Sequence, residues 1–180
     1  MISCAMKCVL AAGVMMILGV VACAAADMPV SAEIVEVPAE RRDWGEVIGN
    51  VRVKFKDGHT EMWTKNGKCL HVLRSDSGLV GWSRYTRRND HGEPVNNMLR
   101  VMISPEQWKD VKTDLFIEDW GFADGDTTVI LKTRGRHGPS YIQRFLLKTG
   151  ELLNETKGSG PHAATPDWAK PYADDQPETK

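Results

Sequence analysis

The chain has almost nothing with which to cross-link itself or hold a metal. Of its four cysteines, Cys4, Cys8 and Cys23 fall near the N-terminus, which leaves Cys69 alone in the body. One cysteine cannot close an intramolecular bridge, so Cys69 reads as a small buried hydrophobe. His71 lies two residues from it, but structural zinc sites take four ligands, commonly in paired spacings. No second pair accompanies them, because His59, His91, His137 and His162 are scattered. "DGD" at 124–126 lacks the repeated acids and distal Glu of a calcium loop and reads as a turn. Neither a metal nor any other cofactor is expected.

Local signatures of catalysis are also missing. "GWSRY" at 81–85 lacks the second glycine of the G-x-S-x-G elbow. Glu118 and Asp119 are adjacent, so on a strand they point to opposite faces and cannot act as a facing carboxylate pair. A net charge of −1 argues against nucleic acid as the main partner. The near-neutral total conceals asymmetry: residues 106–126 hold seven acids and two lysines, whereas 132–148 hold five basic residues and no acid.

What is present begins with an address. After Lys7 comes "CVLAAGVMMILGVVA" at 8–22, an uncharged apolar run shorter than the roughly 20 residues that span a bilayer, and followed by small residues. That is the pattern of a secretory signal over residues 1–26. Two exits from it compete. "VVAC" at 20–23 resembles the lipobox of bacterial lipoproteins, in which the cysteine, here Cys23, receives the lipid; Ala24 after it resembles the outer-membrane sorting pattern of that family. "AAAD" at 24–27 offers A-x-A cleavage after Ala26, giving a soluble periplasmic or secreted protein.

The remainder divides into a β domain at 27–155 and a tail at 156–180. The tail, rich in Gly, Pro, Ala and charge, is expected to be disordered. Within the domain the dominant period is two. "EIVEV" at 33–37 alternates as a short edge strand. In "VRVKFKDGHTEMWT" at 51–64, Val51, Val53 and Phe55 alternate with basic residues, and Asp57-Gly58 signals a two-residue hairpin turn. Such a turn pairs Phe55 with Thr60 and Val53 with Met62, placing Met62 on the apolar face, Lys54 against Glu61 and Arg52 against Trp63. Further apolar segments at 79–82, 98–103, 115–122, 127–132, 141–148 and 151–154 are separated by Asp-Gly, Asn-Gly and Thr-Gly turns. About eight strands in one antiparallel, meander- or sandwich-like all-β domain follow. "SPEQWKDV" at 104–111 carries a capping box from Ser104 to Gln107 and predicts one short helix.

"DGHTEMW", "DSGLVGW" and "DGDTTVIL" each set an Asp/Gly turn before a strand and resemble blades of β-propeller proteins. A propeller takes at least four blades of roughly 40 residues, more than this body holds. Taken whole, the body resembles small exported bacterial proteins of unassigned function, a likeness that implies no chemistry.

Two basic segments stand out. "KTRGRHGPSY" at 132–141 must leave the sheet at its glycines and Pro139. It would present Arg134, Arg136 and His137 to an anionic group, with Tyr141 as a stacking edge. "GWSRYTRRNDHGEPVNN" at 81–97 reads as a long polar connection bearing Arg84, Arg87 and Arg88. The expectation is a lipid-anchored envelope module whose basic loops recognise an acidic protein or an anionic envelope polymer. The alternatives are a hydrolase assembled by folding, with His137 as base, and a structural subunit that pairs strand edges with its own copies.

Overall fold

The computed structural model describes residues 28–36, 47–104, 107–158 and 165–174. The signal segment and the expected lipid site at Cys23 lie outside the described residues. No helix among the described residues is long and apolar enough to cross a membrane.

The fold is all-β, with two antiparallel sheets. Among the described residues eleven strands form them: β1 (Ser31–Glu36), β2 (Gly49–Lys54), β3 (Thr60–Met62), β4 (Cys69–Arg74), β5 (Val80–Arg88), β6 (Pro94–Ser104), β7 (Gln107–Lys112), β8 (Phe116–Ala123), β9 (Thr128–Arg134), β10 (Ser140–Leu146) and β11 (Glu151–Lys157). The first sheet runs β1-β2-β4-β5-β6-β7, with β3 also on β2; the second runs β11-β10-β9-β8. Both follow sequence order closely, as short turns between alternating segments dictate. One face of β6 and β7 packs on the second sheet through Leu99, Val101, Val111, Trp120, Val129, Leu131 and Phe145. A second cluster, Val51, Val53, Phe55, Cys69, Val80 and Trp82, fills the other side of the first sheet.

Three expectations give way to longer-range pairing. The β2–β3 hairpin turns over one more residue than Asp57-Gly58 alone would need: Phe55 N donates to His59 O at 3.0 Å, and Lys54 faces Thr60. Gly58 takes φ 92°, a left-handed conformation open to glycine, and Asp57 Oδ1 accepts the His59 N–H at 3.0 Å. A slip of one residue inverts the facing of the return strand. Met62 is therefore 40% exposed rather than in the core, and Arg52 meets Glu33 at 2.8 Å instead of Trp63.

The helix expected at 104–111 is replaced by β7. Residues Trp108, Asp110 and Lys112 face Met102, Arg100 and Met98 of β6. Arg100 grips Asp110 with two bonds, Nε–Oδ1 at 2.6 Å and Nη2–Oδ2 at 2.7 Å, and Val111 on the opposite side is buried. This cross-strand pair and the core contact outweigh a local capping signal of about 1 kcal/mol. The polar connection at 81–97 is likewise mostly strand, the β5–β6 hairpin. Asn89 shapes its turn by accepting the N–H groups of His91 at 2.9 Å and Glu93 at 3.0 Å.

Among the described residues a short helical element lies elsewhere, in the segment expected to be disordered. Asp167–Tyr172 forms a 3-10 helix whose Ala169 packs on Ile130 and Ile142, flanked by Trp168 and Tyr172. This strap covers the outer face of the second sheet, which explains why β9 is buried on successive residues from Thr128 to Leu131.

The Arg100–Asp110 pair makes stability depend on pH. Arg100 holds the Asp110 carboxyl below its ordinary value, so the folded state binds this proton more weakly than the unfolded chain does. The contribution is complete above about pH 5 and drains away as pH falls through the depressed folded value. Asp110→Asn is expected to be less stable than wild type at neutral pH and to flatten the acid limb of stability against pH. Urea melts between acid and neutral pH check this; parallel wild-type and variant curves would contradict it.

Candidate functional site

The sequence-derived basic residues separate into those that meet and those that do not. Arg134 sits at the end of β9 and is already engaged: its Nε donates to Glu118 Oε1 at 2.6 Å, and its Nη2 lies 3.5 Å from Asp174. Arg136 follows in the turn, where Gly138 N donates to Gly135 O at 3.3 Å, and its side chain is exposed. His137 is exposed at the same turn but stands outside the two clefts that flank Glu118, and half-buried Tyr141 does not reach them either. Arg134, Arg136 and His137 are thus not presented together as one basic prong.

On β5 the arginines also part company. Arg88 folds back on its own hairpin, with Nη1 on Gly92 O at 2.7 Å and its guanidinium 5.2 Å from the Tyr85 ring centroid. Arg84 is half-buried, and its charge acts on Cys69 and Asp110. Arg87 alone reaches across to the β9–β10 turn. A cleft of about 450 Å³ brings Arg87 together with Arg134 and Arg136 over Pro94, Val95, Leu115 and Phe116. Asp114 and Glu118 stand at its side. Among the described residues, the side chains of Arg87 and Arg136 have no ion-pair or hydrogen-bond partner. Their charge is therefore available, whereas that of Arg134 serves to fix Glu118.

A second cleft, of about 460 Å³, lies on the other flank of Glu118. Its origin is a β-bulge: the β8–β9 register shifts between Ile117 and Asp119, leaving Glu118 as the extra residue. A bulge breaks the alternation of side chains, so Glu118 and Asp119 both line this cleft despite being neighbours in the chain. Strict period-two reasoning places them on opposite faces and misses the site. His71 from β4 completes the mouth, with Nδ1 3.6 Å from Asp119 Oδ1. Its position is set by Trp120, whose Nε1 donates to His71 O at 3.3 Å and whose ring meets the imidazole at 5.9 Å between centroids.

Buried polar groups lie beneath. Asn96 Nδ2 donates to Ile117 O at 2.9 Å and to Ser83 Oγ at 3.2 Å. A carbonyl can only accept, which fixes the amide orientation. Asn96 Oδ1 is then left without a partner among the described residues, a state that costs about 1–3 kcal/mol. Ser83 Oγ also accepts the His71 N–H at 3.2 Å, and Ser83 is fully buried. Its hydroxyl oxygen thus holds the His71 backbone and the Asn96 amide in place beneath the cleft. No cluster of metal-ligating side chains occurs among the described residues.

Comparison with protein-family models, with curated proteins and with solved structures gave no match.

Proposed function

We propose that the protein is an exported, lipid-anchored module of a bacterial envelope that binds an anionic group carried on an apolar body. The observation that carries this reading is the basic cleft: the unpaired guanidiniums of Arg87 and Arg136 reach one apolar-floored cavity from two separate hairpins. Each guanidinium offers a planar fork of donors suited to carboxylate or phosphate. The apolar floor of Val95, Leu115 and Phe116 supplies burial for the body of the ligand. An acidic protein segment or an anionic envelope polymer with apolar substituents has both parts. The address rests on the apolar run at 8–22 and the lipobox-like "VVAC" at 20–23. A lipid at Cys23 would concentrate the module where such partners occur.

A hydrolase built on His137 has less support, because that side chain is exposed and stands outside both clefts.

The test is titration of the mature protein with a labelled peptide of alternating Glu and Leu, followed by fluorescence anisotropy. Arg87→Glu/Arg136→Glu is expected to weaken binding by about a hundredfold, roughly tenfold for each charge-assisted hydrogen bond removed. Wild-type affinity should fall with added salt. His137→Ala and Tyr141→Phe should bind as wild type does. Unchanged affinity in the folded double variant would overturn the reading.

A further inference from the structure

The cleft at His71 and Asp119 is not absorbed by anion binding and has the opposite character. Its mouth carries the carboxylates of Asp119 and Glu118, and Glu118 is already matched by Arg134. Asp119 lines the cleft, and among the described residues the His71 ring, 3.6 Å away, is its ion-pair neighbour there. The walls are aliphatic, from Leu70, Val72 and Ile117. Asn96 also lines the cleft; it is 4% exposed, and its Oδ1 lacks any partner among the described residues. Folded proteins rarely leave a buried amide oxygen unsatisfied, and each such group calls for an explanation.

We propose that this cleft is a second ligand site, for an alkylammonium group, with Asp119 meeting its charge, Asn96 Oδ1 accepting one of its N–H bonds and the aliphatic walls holding its hydrocarbon stem. The three features select the ligand together. An ammonium has donors and no acceptor, which matches an unpartnered amide oxygen and a carboxylate lining one cleft. An alcohol of the same length would satisfy Asn96 but leave Asp119 without a counter-charge. A carboxylate would be repelled by Asp119 and could donate nothing to Asn96. The ammonium can be borne by a free amine or by a lysine side chain, and the chemistry at the cleft is the same.

The experiment is an NMR titration of the mature protein with n-butylammonium chloride, read on the Trp120 indole N–H and the Asn96 side-chain amide. Parallel titrations use n-butanol, sodium butyrate and Nα-acetyl-lysine methylamide. Saturable shifts are expected with n-butylammonium and with the lysine derivative, but not with butanol or butyrate. Tighter binding of the lysine derivative would assign the site to a protein-borne lysine; equal or weaker binding would assign it to a free amine. Asp119→Asn keeps the acceptor that receives the Trp120 backbone N–H at 2.8 Å, so it should fold normally and bind about tenfold more weakly, as expected for one charge-assisted hydrogen bond. Butanol shifts equal to those of the amine, no saturation, or a folded Asp119→Asn that binds as wild type does would each overturn the assignment. Arg87→Glu/Arg136→Glu should leave amine binding intact, so failure here is distinguishable from failure of the anion site.

Discussion

Trp120→Ala is expected to lower the stability of the fold by about 3–5 kcal/mol, at the upper end for a single truncation. Trp120 is 1% exposed and belongs to the cluster that joins the two sheets. Its ring meets Phe122 at 5.4 Å and His71 at 5.9 Å between centroids. Removing it opens a cavity bordered by strands of both sheets, and such strands cannot collapse inward without breaking their ladders. Against a total stability of about 5–15 kcal/mol for an ordinary domain, the loss is a large fraction. It should also loosen the mouth of the acidic cleft, because the Trp120 indole fixes the His71 backbone. Trp120→Phe should recover most of the stability but not the bond to His71 O. Urea denaturation of both variants gives the comparison; an alanine variant within about 1 kcal/mol of wild type would show that this cluster does not join the sheets.

That tryptophan illustrates how far the sequence can be read. The all-β class was legible because alternation and Asp-Gly or Thr-Gly turns are local signals, and they recur from β2 to β11. Register was less so. The β2–β3 turn differs from its simplest form by one residue, and that alone moved Met62 from an expected core position to the surface. The capping box at 104–107 is a sound local pattern whose competitor, the Arg100–Asp110 grip, depends on a strand pairing that local spacing does not reveal.

The site divides in the same way. Arg87, Arg134 and Arg136 could be named from their loops, but their meeting depends on how the β5–β6 hairpin lies against the β9–β10 turn. The acidic cleft was hidden by the bulge at Glu118, since alternation is the assumption that a bulge breaks. The signal that could have raised it was the pair of adjacent acids itself, "ED" within an otherwise apolar strand. The strap was missed because composition averages over it: among Gly, Pro and charge, Ala169 and its two aromatic neighbours provide the contacts that hold it to the sheet.

Ala169→Glu is expected to release the strap as a unit while both sheets stay folded, at a cost of about 2–4 kcal/mol. Ala169 is fully buried against Ile130 and Ile142, and a carboxylate forced there would lack a partner. The strap belongs to neither sheet, so it can leave without opening a strand ladder, and the loss cannot exceed what its docking contributes. Its far end is held by Asp174, which meets Lys132 at 2.6 Å and Ser140 at 2.7 Å; the bond from Lys132 keeps that carboxyl below its ordinary value. Once Ala169 is expelled, the end of the strap is left to these bonds and to that from Asp174 N–H to Gly158 O at 2.9 Å. Cleavage after Trp168 or Tyr172 by chymotrypsin should accelerate while β2 to β11 resist digestion. Arg134 would lose Asp174 but keep Glu118, so anion binding at Arg87 and Arg136 should persist. Gly121→Val attacks the same docking from the sheet side, because a Cβ there would run into the Tyr172 hydroxyl. If the strap moves as one body, either variant releases it, and the double variant costs little more than the worse single. Additive losses would mean instead that Ala169 and Tyr172 dock independently.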